Sequence, residues 1–89
     1  MARIRVTPEQ VRQLSGQFKQ AGQQSQEMVT RLQNTVQGMQ GEWEGMTQQR
    51  FYQEFQQWQG QMRQFVEMLN RIGTELDTIA QRFETADRA

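Results

Sequence analysis

Two apolar stripes run unbroken through the second half of this chain. Phe51, Trp58, Phe65, Ile72 and Ile79 form one, and Phe55, Met62, Leu69, Leu76 and Phe83 form the other. Each recurs every seven residues, the spacing that keeps side chains on one side of a helix for about eight turns. Tyr52, Val66, Gly73 and Ala80 add a third stripe beside them. Three apolar positions in seven suit a helix buried against several neighbours, whereas a two-stranded coiled coil needs only two.

The first half carries the same periodicity with smaller side chains. Val11, Leu14, Phe18, Ala21, Ser25, Met28, Leu32, Thr35 and Met39 follow one another in alternating steps of three and four, and Ser15, Gly22, Val29 and Val36 widen the face. Its start is marked by "VTPEQV", with Thr7 as N-cap, Pro8 in the first helical position and Gln10 three residues after the cap. Thr-x-x-Gln is a capping box, which satisfies two orphan amide donors reciprocally, and Val6 and Val11 occupy the places of a hydrophobic staple.

Between the two patterns lies "MQGEWEGMTQ". Gly41 is expected to end the first helix in a left-handed conformation, and Gly45 to let the chain enter the second. These signals predict a single all-α domain over 1–89, a hairpin of two long antiparallel helices at about 8–40 and 47–86 joined by a turn at 41–46. One hairpin cannot cover faces this wide, so two chains are expected to pair into a four-helix bundle. The expected hairpin and dimer core comprises Leu14, Phe18, Met28 and Leu32 from the first helix. The second contributes Phe55, Trp58, Met62, Phe65, Leu69, Ile72 and Leu76. Gly22 and Gly73 sit on the third stripes, where a missing side chain lets helices approach closely, whereas Gly16 and Gly60 fall on outer faces.

Composition narrows the function. The formal net charge is +0 and 19 residues are Gln, so the surface is neutral and amide-rich, without the basic patch that nucleic acid requires. Charge divides unevenly, +3 over residues 1–40 and −3 over 41–89, which suits side-by-side pairing of the halves. Cys and His are both absent, removing disulfides, thiol nucleophiles, His bases and the common zinc sites. Glu42, Glu44 and Glu54 read as solvated charge, with no nucleophile or metal partner near them in sequence. No enzyme activity and no cofactor are expected. No apolar run approaches the ~20 residues of a membrane span, so stable membrane insertion is not expected. "MARIRVTPEQ" lacks the apolar core of a cleaved secretory signal.

Trp43 stands outside both periodic segments. It either folds back as a plug over the end of the bundle or is read by a partner as an exposed aromatic. "Trp43-Glu44-Gly45", placed midway between two long helices, resembles the WXG family of small ESAT-like proteins exported by type VII (ESX) secretion systems. "Met1-Ala2-Arg3-Ile4-Arg5-Val6-Thr7-Pro8-Glu9" also looks like that family's start, and the likeness spans essentially the entire chain. The resemblance implies a C-terminal export signal, an aromatic or other hydrophobic residue followed four later by an acid. "Phe83-Glu84-Thr85-Ala86-Asp87" matches it, with Phe replacing the usual Tyr, so a phenolic hydroxyl cannot be required.

The resemblance further implies a secreted substrate or effector, recognised by a membrane ATPase and exported as a folded dimer without a cleaved signal peptide. That dimer is an antiparallel homodimer or a pair with a related small WXG protein. Within one chain Trp43 and Phe83 lie ~60 Å apart along a helix, so Trp43, Gly45, Phe83 and Asp87 are expected to form one recognition site only across the dimer. The alternative is a cytoplasmic helical-bundle adaptor or chaperone partner that is never exported.

Overall fold

The computed structural model describes residues 6–42 and 45–88; Trp43 and Glu44 lie outside the described residues. Helix α1 spans Pro8–Gly38 and begins as its capping box dictates. The Thr7 hydroxyl accepts from the Gln10 amide at 3.1 Å, and the Gln10 side-chain oxygen accepts from the Thr7 amide at 3.0 Å. With Thr7 extended and Pro8 already at a helical φ, the chain enters α1 with few free donors.

The end of α1 corrects one expectation. Gly41 is not left-handed: a short 3-10 turn, Gln40–Glu42, follows the helix, and the one positive φ among the described residues is Gly45 at 82°. The Met39 amide donates to the Val36 carbonyl and the Glu42 amide to the Met39 carbonyl. These tighter bonds occupy carbonyls that a left-handed cap would otherwise satisfy. The reversal is deferred to Gly45, one residue before α2, where the absence of a Cβ removes the steric penalty.

Helix α2 runs without a break over Met46–Arg88, 43 residues. It folds back along α1 to give a rod of 66 × 24 × 17 Å. Since one helix with its side chains is about 10–12 Å across, the rod is about two helices wide and about one and a half helices thick. A stable core normally lies between two layers. This chain supplies one.

The helices close largely on small residues. Val11, Ser15, Gly22 and Val29 are buried from α1, and Leu69, Gly73 and Ala80 from α2. Ser15, 1% exposed, donates its hydroxyl to the Gly73 carbonyl at 2.8 Å. A Cβ on Gly73 would lie 2.9 Å from Lys19 Cγ and 3.3 Å from the Ser15 carbonyl oxygen. One on Gly22 would lie 2.8 Å from the Asn70 side-chain oxygen. Five of these seven residues lie on the third stripes, which sequence periodicity had made a margin of the larger seam, and Val11 and Leu69 join them from the seam.

Candidate functional site

The large seam residues face elsewhere. Of the eleven expected to form the hairpin and dimer core, Leu69 alone is buried within the single chain. Phe18, Phe55, Trp58, Met62, Ile72 and Leu76 are half-buried, and Leu14, Met28, Leu32 and Phe65 are exposed. Leu14 is 42% exposed and Phe65 41%. Heptad spacing aligns these side chains along both helices, making a long apolar face with no second layer against it. A compact protein of 10.6 kDa exposes about 5,500 Å² by the usual size scaling; this chain exposes 7560 Å².

The expected recognition residues fall at opposite ends of the rod. Gly45 lies at the turn, beside an aromatic ladder on the first turns of α2. Phe51 stacks on Phe55 with ring centroids 5.9 Å apart, and Phe55 on Trp58 at 5.5 Å. Val36, Met39, Phe51 and Tyr52 surround a small cavity beneath that end. Phe83 lies near the far terminus of α2, 41% exposed. Residue 87 belongs to the same helix one turn later; its side chain, like Trp43, lies outside what the structure describes. A single chain does not bring the two ends together, because a continuous helix separates them.

Two ion pairs tie the terminal half of the hairpin. Arg12 Nε donates to Glu84 Oε1 at 2.6 Å, and Lys19 Nζ to Asp77 Oδ2 at 2.5 Å. The hydrogen-bonded Lys19 ammonium holds the Asp77 carboxyl below its ordinary range, with the Ser15 hydroxyl acting in the same direction. The single Ser15 proton already points at the Gly73 carbonyl, so Lys19 is the partner that matters. Sequence reasoning missed these four residues individually. A signal was available: Arg12 and Lys19 are seven apart, Asp77 and Glu84 are seven apart, and the two sets carry opposite sign.

An open groove of about 840 Å³ is walled by Lys19, Gln23, Gln26, Glu27, Asn70 and Thr74. Among the described residues no cluster of acidic side chains could hold a metal, and no helix is long and apolar enough to cross a membrane.

This geometry, two long helices that fold back on each other, agrees with the sequence comparison. The model of the WXG100 family, proteins of 100 residues with WXG, matches residues 3–88. The chain belongs to the WXG100 family. Type VII secretion system extracellular protein A of Staphylococcus aureus (strain USA300) is 27% identical over 88 residues, 99% of this chain and 91% of that protein. Protein YukE of Bacillus subtilis (strain 168) is 27% identical over 85 residues, 96% and 88% of the two chains. Among solved structures, the secreted protein EsxB of Bacillus anthracis superposes with a TM-score of 0.88 at 37% identity. It covers 98% of this chain and 99% of its own. EsxA of Geobacillus thermodenitrificans gives 0.87 at 28% identity, covering 99% and 95%. The WXG100 fold thus extends across the whole hairpin.

Proposed function

We propose that the chain is a substrate of a type VII secretion system, exported as a folded antiparallel homodimer. The system's membrane ATPase reads a composite signal, Trp43 and Gly45 of one copy beside Phe83 and Asp87 of the other. The observation that carries this reading is the unpartnered apolar face. Leu14, Leu32, Phe65 and Phe83 are exposed on a one-layer rod, and the surface in excess of a compact chain is about 2,000 Å². Burial of that order in each copy falls in the range of obligate dimers. A second hairpin supplies the missing layer, and antiparallel packing sets each turn beside the partner's C-terminus.

Kinship with proteins named as type VII extracellular and as secreted supports the route. An adaptor that stays in the cytoplasm would use the same face without leaving the cell. Appearance of the chain in the medium of cells with an intact secretion system, and its retention in cells lacking the ATPase, is the expected result. Retention in both, or release from both, overturns the proposal. Sedimentation of the purified chain is expected to show a dimer at micromolar concentration. A compact monomer contradicts the bundle, and dimerisation only with a second small WXG chain replaces self-pairing by a heterodimer.

A further inference from the structure

Glu84 occupies a free position inside the segment Phe83–Asp87, yet it is tied to helix α1 by Arg12 at 2.6 Å. Beyond Ala80, which is fully buried, no residue of α2 through Ala86 is buried. These last turns meet the beginning of α1, where Arg12 reaches Glu84. Helix ends with so little buried contact open readily. Lys19–Asp77 and Arg12–Glu84 form two rungs one heptad apart on the same pair of helix edges, and the outer rung lies within the signal. Residues 83 and 84 are a rotation of about 100° apart on a helix. Fixing Glu84 against α1 therefore fixes where Phe83 points, and residue 87 follows Phe83 on the same side of α2.

We propose that Arg12 is a positioning residue for the export signal: it holds the C-terminal turns of α2 docked on α1, and the docked form is the one the secretion machinery reads. This rests on the assignment of Phe83 and Asp87 as a signal. In this arrangement the start of α1 sets how strongly the end of α2 is presented, although Arg12 itself belongs to neither half of the motif.

The test uses the full-length chain carrying Arg12→Gln, Arg12→Lys, or the exchanged pair Arg12→Glu with Glu84→Arg. Exposed ion pairs are weak, so hydrogen exchange of amides 81–88 at low salt should quicken by only about two- to five-fold in Arg12→Gln. Protection is retained in Arg12→Lys and in the exchanged pair, and the difference fades in high salt as the charges are screened. Export into the medium falls in Arg12→Gln and persists in Arg12→Lys. Unchanged exchange in Arg12→Gln overturns the docking role. Faster exchange with equal or greater export overturns the claim that the docked form is read. Normal export of Asp87→Ala, with exchange at Arg12→Gln still altered, removes the signal assignment instead.

Discussion

The glycines of the hairpin offer a sharp test of where its helices touch. In an exposed helix Gly→Ala gains about 1 kcal/mol of helix propensity, and the structure decides what opposes that gain. Gly16 and Gly60 have nothing within 4 Å of a Cβ, so Gly16→Ala and Gly60→Ala should each stabilise by about 1 kcal/mol. At Gly22 the obstacle is the far end of the Asn70 side chain, which is exposed and can swing aside, so Gly22→Ala should be neutral or mildly stabilising. Gly73 differs: its Cβ would press on Lys19 Cγ and on the Ser15 backbone carbonyl. Overpacking costs about 1–3 kcal/mol, and separating the helices strains the buried Ser15–Gly73 hydrogen bond, worth about 1 kcal/mol. Against the propensity gain, Gly73→Ala should lose about 1–3 kcal/mol net. That is a fall in Tm on the order of 4–8 °C per kcal/mol for a domain of this size. Thermal and urea unfolding at one fixed protomer concentration, since an assembling protein's Tm depends on it, checks the series. Gly73→Ala as stable as Gly16→Ala would mean that the third stripes do not close the hairpin.

Four further outcomes are expected. Leu69→Asp puts an unpaired charge inside the hairpin and should cost several kcal/mol, abolishing helicity by circular dichroism. Phe65→Asp, on the open face, should first weaken assembly, by more than ten-fold in sedimentation. Trp43→Ala should impair export while losing less stability than the ~3–5 kcal/mol of a buried Trp truncation; a loss that large would make Trp43 a core residue. Asp77 has its folded-state pKa depressed by Lys19, so its contribution is present above the ordinary carboxylate pKa and is lost as pH falls through the depressed value. Acid unfolding curves of the parent and Asp77→Asn should therefore converge at the low end and separate toward neutrality.

Much of this architecture was legible in the amino acids because it is local. Thr7, Pro8 and Gln10 specify the start of α1 within four residues, and the heptads of α2 specify one long helix. The assignment of faces was not local. Hydropathy gives weight to large side chains, whereas helix axes come closest where side chains are smallest, so Ser15, Gly22 and Gly73 read as gaps in a stripe. Leu14 and Phe65, which dominate the pattern, are left for a second layer. The turn shows a similar limit: Gly41 and Gly45 are chemically identical, and the 3-10 bonds around Met39 select which becomes left-handed. The Arg12–Glu84 and Lys19–Asp77 rungs depend on a register between residues over fifty positions apart. The charge pattern permitted that register without naming it.

The central claim is that recognition residues from opposite ends of the rod act together across a dimer. Co-expression of a Trp43→Ala chain with an Asp87→Ala chain, each export-defective alone, tests it most directly. In the mixed dimer one end unites an intact Trp43 with an intact Phe83 and Asp87, while the other end carries both lesions. With differential tags confirming mixed dimers, the account predicts that both chains reappear together in the medium. Confirmed mixed dimers that remain inside the cell, when a linked dimer with one wild-type chain is exported, would contradict it.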